Sequence, residues 1–303
     1  MQVTRIDLAD RGSPEALVGL ILKHEPDLPV PVPIEDLSRQ LDIEDIVPLD
    51  VEGFEGGLIT DTTKSRGVIL VRHGARPARR RFTIGHELGH FLMPSHMPGE
   101  QGRFLCSRED MVRLTAKEND RREKMEVEAN RFASLILMPP PFLRKAIARE
   151  RSPSLQQVFA LAAEFDVSKE SMARAYADHH PDDVAFVVVR DGQVLRTYRN
   201  RNQFPFITVR AGQPVPTDSL FHKAGHQRGT PSDIDSRPPG LWIDVEHGRP
   251  APVMSEQVCL QVEGFALIML WHESAEAEDE DEDREEGRTS RERWKDRQSR
   301  YDR

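Results

Sequence analysis

The apolar positions of the N-terminal half change period twice. Over residues 14–24, Ala16, Leu17, Leu20 and Ile21 fall near the spacing of one helical face and Ser13 stands where an N-cap belongs, so a helix is predicted. A second, short helix is predicted over 34–41. The runs at 46–49, 57–60 and 67–71 are short, rich in β-branched residues and separated by Gly, Asp and Lys, which predicts a small sheet. Pro77 suits the first turn of a helix, and helix-forming residues continue through Leu92 until Pro94 stops them. Another helix is predicted over 126–138, ended by Pro139, Pro140 and Pro141.

Further along, Leu155, Val158, Phe159 and Ala162, then the stretch 165–176, predict two helices joined at 166–168. The pair is similar to a helix-turn-helix. Its second helix offers Lys169 and Arg174 against Glu170 and Asp178, so direct DNA binding is not expected and a packing role is. From residue 184 the period becomes that of strands: 185–189, a turn at Asp191-Gly192, 194–198, and later 240–245, 258–262 and 265–271. This predicts a β-rich second domain over 184–272. His222, His226 and His247 read as ordinary loop histidines. The segment 273–303 is acidic, then Arg-rich, cannot bury a core, and reads as a disordered tail.

Composition narrows the classes. A chain of 303 residues with 38% hydrophobic and 31% charged residues has room for more than one soluble domain. No apolar run approaches the roughly 20 residues of a membrane span, and the N-terminus lacks a secretory pattern, so no membrane partner and a cytoplasmic location are expected. The formal charge of −9 argues mildly against a general nucleic-acid binder, although the tail contributes much of it. Cys106 and Cys259 are the only cysteines, too few for a disulfide framework, so any metal must rely on His and carboxylates.

Such a set is present. His86-Glu87-Leu88-Gly89-His90 lies inside the helix bounded by Pro77 and Pro94. At about 100° per residue, His86 and His90 are about 40° apart and can converge on one ion, while Ile84, Leu88 and Phe91 lie opposite. Glu87, rotated from the ligand direction, suits a base that takes a proton from water, and Gly89 could leave room for a substrate backbone. A catalytic zinc needs a third protein ligand. Glu126, which shares a face with Asn130 and Ala133, is the best candidate, yet periodicity does not decide between it and Glu128. Asn130 could orient His86 or His90. His96 and Cys106 read as structural or exposed residues of a loop, and the basic run 76–81 as a solvated face.

Two separated stretches, Arg81-Phe82-Thr83-Ile84-Gly85-His86-Glu87-Leu88-Gly89-His90 and Glu126-Val127-Glu128-Ala129-Asn130-Arg131-Phe132-Ala133 with Leu137-Met138-Pro139, resemble the ImmA/IrrE family of metallopeptidases. The resemblance implies a gluzincin-like site: His86, His90 and Glu126 binding one Zn²⁺ per chain, with Glu87 as catalytic base. Gly85 departs from the Ala often found there, a change that weakens a helix by about 1 kcal/mol and could loosen the site. The expected fold is α+β: a zincin-like catalytic domain over 1–149, a helix-turn-helix-like segment over 150–180, and a β-rich domain over 184–272 similar to GAF sensors. The resemblance further implies a zinc-dependent endopeptidase that cleaves a helix-turn-helix repressor or antitoxin-like partner encoded nearby. The competing reading is a non-proteolytic zinc-containing regulator that binds a transcription factor or DNA.

Overall fold

In the N-terminal part, α1 (Arg5–Leu8), α2 (Pro14–His24) and α3 (Ile34–Gln40) lead into β1 (Ile43–Leu49), β2 (Gly56–Thr60) and β3 (Gly67–Arg72). Next come α4 (Pro77–Leu92), β4 (Arg103–Cys106) and α5 (Arg121–Leu137). The computed structural model describes residues 2–51, 53–98, 103–245 and 253–272; the 273–303 segment and His247 lie outside the described residues. The chain is α+β and divides into two units, Met1–Pro140 with Ala162–Ser168, and Pro141–Leu161 with Lys169–Arg303.

The first unit holds a four-stranded sheet of order β1-β3-β2-β4, parallel between β1 and β3 and antiparallel elsewhere. β4 corrects the expectation of a loop around Cys106. Four residues are too few to display a period, and only the register Gly56↔Cys106 and Leu58↔Phe104 makes them a strand. α4 packs on β2, β3, α3 and α5. From Thr83 to Leu92 every residue of α4 is buried, polar ones included. Its C-terminal carbonyls are satisfied by Lys64, whose Nζ donates to the carbonyls of His90 (2.7 Å) and Met93 (2.8 Å), placing a cation at the negative end of the helix. Burial lowers that ammonium to about 8.

The basic run is not a solvated face. Arg79 Nε donates to Glu55 (3.1 Å), Arg80 pairs with Glu35, and Arg81 reaches the Val32 carbonyl (2.9 Å) and Asp166 (3.3 Å), tying the start of α4 to its surroundings. α5 starts earlier than the apolar pattern predicts, because the Asp120 side chain accepts from Glu123 N–H and caps it.

Beyond α5 come α6 (Pro140–Ile147), α7 (Leu155–Glu164) and α8 (Lys169–His179). The prolines at 139–141 predicted only a stop. Pro140 and Pro141 instead open α6, in a first turn where no N–H is required. Between α7 and α8, Asp166 takes φ +51° and Val167 N–H bonds the Ala162 carbonyl (2.9 Å), which turns the chain.

The second unit is built on β5 (Asp183–Arg190), β6 (Gln193–Arg199), β7 (Asp235–Arg237), β8 (Met254–Leu260) and β9 (Phe265–His272). They form one antiparallel sheet of order β6-β5-β9-β8-β7, against which α8 packs through β5 and β6. The strand predicted over 240–245 is absent: Pro239–Leu241 is a 3-10 turn, and Ile243 makes a single bridge to Ile207. Pro238 and Pro239 supply no N–H for a ladder, and Trp242 is fully buried among Phe204, Val187, Val258 and Ile268. Among the described residues no helix is long and apolar enough to cross a membrane.

Candidate metal centre

Small residues bring α4 and α5 together. A Cβ on Gly85 would sit 3.3 Å from Ala133 Cα, and one on Gly89 would sit 3.2 Å from Phe132 Cβ and 3.3 Å from Ala129 Cα. Gly89 therefore serves helix contact, which corrects the expectation of room for a substrate backbone, and Gly85 serves the same contact. The close approach sets α4's histidines against α5's Glu126, Glu128 and Asn130.

Three donor atoms converge there. His86 Nε2 and His90 Nε2 are 3.0 Å apart, and Glu126 Oε2 is 3.2 Å from the first and 3.5 Å from the second. Their protonation follows from the outer partners. Asn130 Nδ2 donates to the carbonyls of Asp110 (2.7 Å) and Arg113 (3.0 Å), which fixes the amide so that Oδ1 accepts from His86 Nδ1 at 2.9 Å. On the other side Glu128 Oε2 accepts from His96 Nε2 (2.9 Å), so His96 Nδ1 accepts from His90 Nδ1 (3.0 Å). Burial keeps both rings neutral, lowering His96 and taking His90 down to about 3. Both Nε2 atoms thus present lone pairs toward a carboxylate oxygen that has no hydrogen-bond partner.

Three electron-rich atoms facing one another in a buried space fit a cation. A tetrahedral zinc with bonds of about 2.0–2.1 Å sets donor–donor edges of about 3.3 Å, and the three edges here straddle that length. The buried cluster of His86, His90, Cys106 and Glu126 is compatible with one metal ion.

Glu87 is fully buried at the chamber wall rather than at a cleft edge, and neither of its oxygens has a hydrogen-bond partner. Burial pushes its carboxyl well above the usual range; the nearby Cys106 thiol opposes this and the Glu126 charge adds to it. β2 can pass so close only because residue 56 is glycine: a Cβ there would lie 2.4 Å from Thr83 Cγ2 and 2.9 Å from Glu87 Oε1. A cleft of about 420 Å³, lined by Leu105, Ser107, Asp110, Arg113, Arg122 and Glu126 among others, reaches the cluster through Glu126.

The sequence-predicted residues His86, Glu87, His90, Glu126 and Asn130 are thus brought together. His96, Cys106, Gly56 and the link from Glu128 were not read from the sequence as parts of this site. For His96 a signal existed, since it stands six residues after His90, but loop position alone does not say which ring nitrogen faces what.

Residues 43–176 match the family described as Peptidase M78, IrrE N-terminal-like domain. That segment is similar to the ImmA/IrrE metallopeptidases that the two motif stretches resemble. The chain is 31% identical over 173 residues to the radiation response metalloprotease IrrE of Deinococcus radiodurans, an alignment covering 50% of this chain and 49% of that protein. The chain therefore spans about half the length of that curated relative. It is also similar in fold to a Mycobacterium tuberculosis transcriptional regulator, with a TM-score of 0.53 at 14% identity over 90% of this chain and 94% of the other. The matched ImmA/IrrE segment runs from β1 into α8 and contains the whole buried cluster.

Proposed function

We propose that the chain is a zinc-dependent endopeptidase with a zincin-like catalytic unit, in which His86, His90 and Glu126 hold the ion and Glu87 is the base. The observation that carries this reading is the convergence of three lone-pair donors beside an unpartnered, buried carboxylate. When bound, the ion supplies Lewis acidity, polarising a scissile carbonyl and acidifying water. Asn130 and His96 hold the two imidazoles in the tautomer that leaves Nε2 free. Glu87, placed one residue after His86 with no competing hydrogen bond, takes the proton of the attacking water and returns it to the leaving amine. The low-dielectric chamber keeps that transfer strong and its direction fixed.

The substrate of this reading is a helix-turn-helix repressor or antitoxin-like protein encoded nearby and met in the cytoplasm, whose cleavage relieves repression in a stress response. Support for it is the IrrE-like domain over residues 43–176 together with the similarity to a Deinococcus metalloprotease of the radiation response. The β-rich unit serves as a GAF-like sensor and the helices α7 and α8 as a packing element in the same reading. The test is incubation of the zinc-loaded chain with neighbouring repressors and unrelated helix-turn-helix proteins, fragments being identified by mass spectrometry. Cleavage of one repressor, absent with Glu87→Gln, is expected. Cleavage of none, with zinc bound, leaves a non-proteolytic regulator as the better account.

A further inference from the structure

Cys106 ends β4 opposite Gly56, and its thiol is buried in the chamber. With the donor atoms of His86, His90 and Glu126 it forms a set in which all atoms lie within 4.8 Å of one another, and Sγ is 3.9 Å from His90 Nε2. A zinc bonded to nitrogen at about 2.0–2.1 Å and to sulfur at about 2.3 Å sets an N···S edge of about 3.6 Å. On the His90 edge the thiol is a few tenths of an ångström wide of a ligating distance, and its other two edges are bounded at 4.8 Å, so Sγ reaches the ion by moving inward. Independently of the cysteine, Glu126 Oε2 is buried and unpartnered in the same chamber, which marks it as built around a cation.

We propose that Cys106 is a fourth metal donor, closing the position that water or a substrate carbonyl requires and holding the centre latent until the thiolate is displaced. The inference rests on the zinc-peptidase reading above. Four protein donors describe a closed, structural type of zinc site, and three with a free position describe a catalytic one, so one displaceable donor separates the two states. As the Sγ–metal bond forms, the S–H bond breaks and its proton leaves to solvent, with no change of oxidation state.

The thiol is also the donor that yields first. His86 is held by Asn130, His90 by His96, and Glu126 stands on a 17-residue helix. Cys106 stands at the end of a four-residue strand at the sheet edge, hydrogen-bonded within the sheet to β2 alone.

The experiment loads the metal-free full chain with cobalt(II) and records its absorption. The parent is expected to bind one cobalt and to show an intense thiolate-to-cobalt charge-transfer band. Cys106→Ala and Cys106→Ser should each keep the cobalt and its visible ligand-field bands but lose the charge-transfer band, whereas Cys259→Ala should keep all of them. Acetohydroxamate, which needs the open position, should bind the cobalt form of both Cys106 variants at least about tenfold more tightly than the parent, whose competent state is a minority. A parent that binds cobalt without the band overturns the inference and leaves the peptidase reading standing. So does a band that survives both Cys106 substitutions, or equal acetohydroxamate affinities. A chain that takes up no cobalt overturns the peptidase reading and the inference with it.

Discussion

Each unit of this protein buries a glutamate completely, and the two are treated in opposite ways. In the β-rich unit, Glu256 on β8 accepts from the Ser219 hydroxyl and from Trp242 Nε1 (3.2 Å), so each oxygen has a donor. In the N-terminal unit, Glu87 on α4 has no donor to either oxygen. Burial raises both carboxyls, and at Glu256 the hydroxyl and indole pull back. A buried polar group normally has partners, and leaving one without them costs about 1–3 kcal/mol. The satisfied glutamate fastens an irregular loop to a sheet. The unsatisfied one keeps its lone pairs for something outside the chain, and the adjacent lone pairs of His86, His90 and Glu126 say what that is.

The largest expected effect separates the two helix-α5 carboxylates. Glu126→Ala should take zinc from about one per chain to none, whereas Glu128→Ala should keep it. Metal analysis of the purified variants checks this, and the reverse outcome would exchange their roles. Next in size, Glu87→Gln should keep zinc and shift the unfolding midpoint little, because the carboxyl has at most the weak Cys106 thiol contact to lose. Its turnover should fall by about 10²–10⁴-fold on the true substrate, since an amide cannot take a proton. Full turnover by this variant would remove Glu87 from the chemistry.

The matching change in the other unit should act on stability alone. Glu256→Ala orphans two buried donors, at about 1–3 kcal/mol each. Urea unfolding should report that loss while zinc content stays at the parental level. A Glu256→Ala chain as stable as the parent would mean that a buried glutamate with two donors is no more a structural fastener than Glu87 is.

Much of this site was legible because local signals stand beside it. Pro77 and Pro94 bracket α4, and the ordering His86, Glu87, His90 fixes which side chains share a face. The choice of Glu126 over Glu128 was not local. It depends on α5 lying close to α4 in one rotation, which Gly85, Gly89, Ala129 and Ala133 determine jointly. β4 was illegible for the same reason, being a strand only through its register with β2. The false strand at 240–245 shows the converse error, in which alternating Leu241, Ile243 and Val245 imitate a period while Pro238 and Pro239 and the burial of Trp242 dictate a turn.

A smaller effect tests the outer partners. His96→Ala removes the acceptor of His90 Nδ1, so zinc affinity should fall by about 10–100-fold in competition with a chromophoric chelator. Glu128→Ala should fall less, because the carboxylate is partly exposed and water can replace it. ¹⁵N shifts of the His90 ring would show the two tautomers mixing in His96→Ala. Unchanged affinity and unchanged shifts would reduce the Glu128–His96–His90 chain to packing.

The smallest expected effect concerns the spacing of the two helices that makes the site polar at all. Gly85→Ala brings two opposed terms. Alanine favours the helix by about 1 kcal/mol over glycine in a helix interior. Its methyl would meet Ala133 Cα at 3.3 Å and Ala133 Cβ at 3.4 Å, tight enough that α5 must give by a few tenths of an ångström. Because the obstacle includes backbone, the helix moves as a body rather than one side chain turning aside. Net stability should therefore stay within about 1 kcal/mol of the parent. Zinc affinity should not be so insulated, since the edges from Glu126 to the two histidines, 3.2 and 3.5 Å, span the gap between the same helices. A drop of a few-fold in zinc affinity with a nearly unchanged urea midpoint is expected, the same two measurements being made on Glu256→Ala for contrast. Equal loss in both measurements would mean that the helix contact is ordinary packing, with no separate bearing on the donors it holds apart.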